Sequence, residues 1–219
     1  MIKTKELFSP GHSAADEYLF SFEYPWQALA GIKDFIIELG KTLDRAEYDR
    51  PRENVWIHKS AKIFPSAYIG SPCIIGAETE VRQCAFIRGS ALIGKNCVIG
   101  NSTELKNVII SDHVQVPHYN YVGDSILGFY SHMGAGSITS NVKSDKTPVE
   151  IKYNGEAIKT GLKKMGAILG EHVEVGCNSV LNPGSIIGSN TNIYPLSCVR
   201  GVIPPNSILK TGGIIKEKE

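Results

Sequence analysis

The chain has 219 residues, enough for one domain with a sizeable core or two small ones. Its 23 Lys and Arg stand against 22 Asp and Glu, a net charge of +1 that argues against a nucleic-acid groove, and no apolar run approaches a membrane span. The start, Met1 to Glu6, has no signal-peptide core, and the five Cys include no CxxC pair, so the expectation is a cytoplasmic protein with free thiols.

Residues 1–53 do not repeat and are expected to form a separate N-terminal arm. Tyr18, Phe20, Phe22, Tyr24 and Trp26 alternate along a short aromatic run, which suits either a strand or an arm lying on another surface. After Pro25, the apolar positions Trp26, Leu29, Ile32, Ile36, Leu39 and Leu43 recur at steps of three and four. That spacing predicts an amphipathic helix with Pro near its first turn. Its stripe needs cover, either as a cap over the open end of the domain that follows or as a strut on a neighbouring subunit.

From Ile57 the period changes. Ile57, Ile63, Ile69, Ile75, Val81, Ile87, Ile93, Ile99 and Leu105 place an aliphatic at every sixth position. Small residues follow four places on, among them Ala61, Ala67, Cys73, Thr79, Ala85, Ala91, Cys97 and Thr103. A period of six fits neither a helix nor an ordinary strand. It fits a hexapeptide repeat, in which each hexad is one flat side of a parallel β-helix and three hexads close a coil. The fold class is therefore all-β, a β-helix over about residues 54–209. Stacked coils should lie about 4.8 Å apart, with the aliphatics and small residues pointing inward.

After Leu105 the phase slips. Ile110, Val116, Val122, Leu127 and Met133 continue it only with two five-residue steps, a sign of a functional turn. From Thr139 to Lys164 the repeat is lost in a polar, Lys-rich stretch with a turn signal at Asn154-Gly155, expected to be one extruded loop. Strict period six returns at Leu169, Val175, Leu181, Ile187, Ile193 and Val199. Residues 210–219 are expected to be a flexible tail.

The stretch between Glu104 and Asn141 carries chemistry. It holds Glu104 and Lys106, then His118-Tyr119-Asn120-Tyr121-Val122-Gly123-Asp124, then Gly134-Ala135-Gly136-Ser137-Ile138-Thr139, then Asn141. Arg88 lies 18 residues before Lys106, so the two should stack on one side as a phosphate clamp. His118 suits deprotonation of an amine near neutral pH.

These motifs resemble the acetyltransferase half of the bifunctional bacterial glucosamine-1-phosphate N-acetyltransferase/N-acetylglucosamine-1-phosphate uridylyltransferase. The resemblance implies a left-handed prism and acetyl-CoA as co-substrate. It implies Arg88 and Lys106 on the phosphate of an amino-sugar phosphate, with Tyr121 and Asn141 orienting the sugar. It further implies His118 as general base and the Ala135 N–H facing the thioester oxygen. His132 stands where the family has Asn, and Cys177 where its cofactor site has Ser. In that family a neighbouring subunit closes the pocket, so a homotrimer is expected, with the 139–164 loop long enough for that reach. The uridylyltransferase half has no counterpart in residues 1–53, so nucleotidyl transfer is not expected of this chain, and a separate nucleotidyltransferase is a candidate partner.

Two other readings compete with acyl transfer. One is a non-catalytic sugar-phosphate-binding or assembly module related to UDP-N-acetylglucosamine pyrophosphorylases. The other is a metalloenzyme of the γ-carbonic-anhydrase kind using His113 and His118. A third ligand is missing upstream, where Ala77 and Arg82 stand, so no metal is expected.

Overall fold

The computed structural model describes residues 2–218. Ile75 pairs with Ile93, and Ile63 with Val81, each 18 residues on, so three hexads close one coil as the period requires. The strands stack in three parallel columns. The first runs from Val55–His58 through Cys73–Ile75, Ala91–Ile93 and on to Val202–Ile203. The second runs from Lys62–Ile63 through Gln115–His118 to Ser207–Lys210. The third runs from Tyr68–Ile69 through Phe86–Ile87 and Ile138–Thr139 to Cys198–Val199.

The hexad aliphatics fill the interior. Ile75, Val81, Ile87, Ile99 and Leu105 are fully buried, while Ile57 and Ile63 at the first coil are only partly covered. The small inward residues earn their size at the corners. Thr79 donates its hydroxyl to the Gly94 carbonyl at 2.7 Å, and Thr103 to the Val116 carbonyl at 3.0 Å, so neither buried hydroxyl is orphaned. Cys73 and Cys97 are buried free thiols whose pKa burial pushes up to about 12, which leaves them inert.

From Glu78 on, the corners take one residue in the left-handed region: Cys84, Ser90, Asn96 and Ser102 at steps of six, then Asn107, His113, Tyr119 and Asp124. The steps Ser102 to Asn107 and Tyr119 to Asp124 are five. The phase slips are thus two successive third-column sides, each one residue short. Asn and Asp tolerate the left-handed corner that such a side needs.

The arm differs from its expectation. The aromatic run is a short helix, Asp16–Phe20, followed by a turn, and the single expected helix divides into a 3-10 helix, Pro25–Ala30, and an α-helix, Ile32–Thr42, at Gly31. The arm does not cap an end of the prism. It lies along the first column, whose outward residues Trp56, Ile74, Leu92, Ile109 and Ile126 share one buried cluster with Leu19, Trp26, Leu29, Ile32 and Ile36. Gly40 makes the close approach possible, since a Cβ there would run into the Trp56 ring.

The 139–164 segment is a hairpin, Glu150–Tyr153 with Glu156–Lys159, turned at Asn154 and Gly155, both with positive φ. It does not extend away from the prism toward a neighbour. Val149 and Ile151 are buried in the same cluster as Ile168 and Ile186, so the hairpin continues the arm's cover along the same column.

At each end of the prism one strand edge is paired by an antiparallel strand instead. Tyr48–Arg52 folds back on Val55–His58. The expected flexible tail turns at Gly212 and Gly213, both with positive φ, and Ile214–Glu217 pairs with Ser207–Lys210. An unpaired ladder at the last coil is a ready template for any strand, and the tail satisfies it.

Candidate functional site

The two short sides bring the motif residues together at the corner between the third and first columns. Asp124, whose side chain is 7% exposed, is the hub. Its carboxylate accepts from Lys106 Nζ at 3.2 Å, from Asn107 Nδ2 at 2.9 Å and from Asn141 Nδ2 at 2.5 Å. Asn141 also donates to the Tyr121 hydroxyl at 3.1 Å. The Tyr121 hydroxyl lies over Gly123, where a Cβ would collide with it and with Asn141. Burial, then the nearby Asp124 and Glu104 carboxylates, push the Tyr121 phenol above its usual range, so it stays a neutral hydroxyl.

Arg88 and Lys106 stack as their spacing requires, because Glu104 and Leu105 pair with Phe86 and Ile87. Each, however, already has a carboxylate. Arg88 Nη1 lies 3.0 Å from Glu104 Oε1, and Lys106 is held by Asp124. The expected pair of free cations is a balanced set of two cations and two anions.

Of the remaining predicted residues, His118, Ala135 and Cys177 collect at the other edge of the third column, whereas His132 pairs with Gln115 at the far end of the second column. His118 ends Gln115–His118, and its side chain is exposed. Buried Asn120 holds the bend: its Oδ1 accepts the His118 N–H at 3.0 Å, and its Nδ2 donates to the Gly134 and Ser137 carbonyls. The His118 carbonyl in turn accepts Gly136 N–H at 3.0 Å. Ala135 sits beside this bend, and its own carbonyl accepts the Asn178 N–H at 2.8 Å. Gly134 packs so closely on the next coil that a Cβ would meet Cys177 N, so Ala135 and Cys177 occupy stacked corners. His132 is turned to Glu174, with Nδ1 2.8 Å from Oε2. The two edges are separated by one flat side, roughly 15 Å of extended chain.

His113 does not join His118. It lies at the opposite end of the Gln115–His118 strand, stacked on Tyr130 at 4.5 Å, which stacks on His172 at 5.5 Å. Among the described residues, no group of three metal-ligating side chains converges, and no helix is long and apolar enough to cross a membrane.

Two contributors escape a sequence reading. Asp124 is visible in the motif without a role, and Asn107 is not singled out at all. Asn107 donates both to Asp124 and, at 3.1 Å, to the Leu29 carbonyl, which ties the arm to the site. Their one advance signal is the five-residue step ending at each.

Fold and site together define a left-handed hexapeptide-repeat β-helix with a polar cluster built on two shortened sides. The chain belongs to the GMPPB C-terminal domain family, whose model matches residues 72–182. It is similar to the bifunctional sugar-1-phosphate nucleotidylyltransferase/acetyltransferase of Sulfurisphaera tokodaii, 36% identical over 91 residues, which are 42% of this chain and 23% of that protein. It is equally similar to the bifunctional protein GlmU of Methanococcus maripaludis, 36% identical over 105 residues, 48% of this chain and 25% of the relative. The matched segment thus spans about a quarter of these relatives. Among solved structures, the polySia-specific acetyltransferase NeuO aligns over 72% of this chain and 80% of its own, with 15% identity and a TM-score of 0.49.

Proposed function

We propose that this protein is an acyltransferase that moves an acetyl group from acetyl-CoA to the amino group of a hexosamine phosphate such as glucosamine-1-phosphate. The observation that carries the reading is the Tyr121–Asp124–Asn141–Lys106 cluster on the two shortened sides, in a chain of this family. Tyr121 and Asn141 present a hydroxyl and an amide to the sugar, while Arg88 and Lys106 face its phosphate. His118 takes the proton from the ammonium, which has no lone pair until then. Acetyl-CoA supplies the activated acyl carbon. It suits the corner at Ala135, whose N–H has no acceptor among the described residues and is free for the thioester oxygen. Cys177, one coil on, lines the same path.

In one chain, His118 and the sugar-binding cluster stand on opposite edges of a side. A homotrimer, in which a neighbouring copy supplies the missing edge, would close the site, and light scattering should return three chains. We place the reaction in the cytoplasm, with a separate nucleotidyltransferase as the user of the product.

The pairing of Arg88 with Glu104 and of Lys106 with Asp124 favours one other reading, a sugar-phosphate-binding module without turnover. A thiol-release assay with acetyl-CoA against a panel of amino-sugar phosphates separates the two. Acyl transfer predicts thiol release with at least one hexosamine phosphate. Binding by calorimetry without release at any concentration would leave the binding module.

A further inference from the structure

Where the hairpin leaves the prism, a cavity of about 730 Å³ opens beside the third column. Three cations from three separate segments line it: Lys143 from the turn after Ile138–Thr139, Lys152 from the hairpin, and Arg200 from the last full coil. Glu150 is the one acid on its wall, so the lining carries a net charge of about +2. Lys143 donates to Thr147 Oγ1 at 2.7 Å and lies 3.4 Å from Asp145. Neither Lys152 nor Arg200 has a side-chain partner among the described residues. Ser140 and Asn182 add polar groups to the floor.

The cavity sits on the same column as the polar cluster. The register runs Arg88, Lys106, Gly123, Ser140, Asn182, Arg200, one rung per coil. At about 4.8 Å per rung, Arg200 stands roughly 19 Å from Lys106, and Ser140 adjoins Asn141. The contrast in charge is sharp. Both cations of the first cluster are matched by carboxylates, whereas two of the three in the cavity are uncommitted, and a phosphate has more to gain in the cavity.

We propose that this cavity is a second anion site that takes a phosphate or diphosphate group. The group comes either from the acyl acceptor itself, as a nucleoside-diphosphate amino sugar whose hexosamine lies at Tyr121 and Asn141, or from a separate phosphorylated ligand. The existence of the site does not depend on acyl transfer; the first of these sources rests on that reading.

The test is calorimetric titration of inorganic pyrophosphate into the full-length protein. It should bind one pyrophosphate per chain, more weakly as salt is raised. Arg200→Glu and Lys152→Glu should each weaken binding at least tenfold with unchanged melting, while Lys33→Glu, an exposed cation on the arm, should not. No binding at millimolar pyrophosphate, or an equal loss in Lys33→Glu, overturns the site. The source is then read from thiol release. Pyrophosphate that raises KM for a nucleoside-diphosphate amino sugar but not for the hexosamine phosphate assigns the cavity to the acceptor; pyrophosphate that lowers kcat at constant KM for both assigns it to a separate ligand. An enzyme that releases no thiol at all sinks the acyl-transfer reading, while the calorimetry still decides the site.

Discussion

The first and third columns are adjacent sides of the same coils and share the strands Glu104–Ile110 and Tyr121–Leu127, yet they have opposite fates. On the first, Trp56 is followed by an outward aliphatic on coil after coil: Ile74, Leu92, Ile109, Ile126, Ile168 and Ile186. That wall is covered along its length by the arm and then by the hairpin. On the third, the outward positions run Tyr68, Phe86, Glu104, Tyr121, Ile138, Val180 and Cys198, all exposed or half-buried, and the wall stays open. The backbone repeat builds the prism, but the outward residue of each hexad decides whether a side becomes an interface or a surface for chemistry. The two shortened sides then turn the open wall into a site by drawing Asn107 and Asp124 into the corner.

Substitutions that separate inside, covered wall and open wall test this comparison. Ile87→Asp should have the largest effect and abolish folding. It places an unpaired carboxylate in the prism at a cost of several kcal/mol, comparable with a typical total stability of about 5–15 kcal/mol. A cooperative melt near that of the wild type would mean that Ile87 does not face inward. Leu92→Ala, on the covered wall, should cost about 2–5 kcal/mol. Amide exchange should speed up over Ile32–Thr42 and stay slow in the interior strands. Uniform acceleration everywhere would show that arm and prism unfold as one unit.

On the open wall, Arg88→Ala should leave the fold intact and raise KM for the hexosamine phosphate with little change in kcat, because the contact is present in ground and transition states alike. A fall in kcat alone would give Arg88 a different role. Lys95→Ala, exposed and away from every cluster, should shift stability by no more than about 0.5 kcal/mol in thermal melts.

The interior of the prism was legible because its rule is strict: an aliphatic must fill the same place in every hexad, and Ile57 to Leu105 never miss. The outward doublets were equally visible, as Ile74-Ile75, Leu92-Ile93 and Ile109-Ile110 recur once per coil. Counting by six reads only the inward member of each pair, so the wall that receives the arm went unread. A buried stripe such as Trp26, Leu29, Ile32 and Ile36 tells that a helix is covered, not by what. The tail looked frayed because Lys216 to Lys218 have no pattern, and its pairing is made by backbone groups that any sequence carries. At the site, the motif and both five-residue steps stood out. That Glu104 and Asp124 would occupy the two cations was not readable, because it depends on which side chains meet across rungs.

The most direct test is thiol release from acetyl-CoA with glucosamine-1-phosphate as acceptor, wild type beside His118→Ala. His118 is exposed and packs on nothing the prism needs, so the variant should fold and bind the sugar phosphate as the wild type does. Its turnover should fall roughly 10²–10⁴-fold, the usual contribution of a positioned base. Equal turnover in the two proteins would contradict the account, because the amine would then lose its proton without the imidazole of His118.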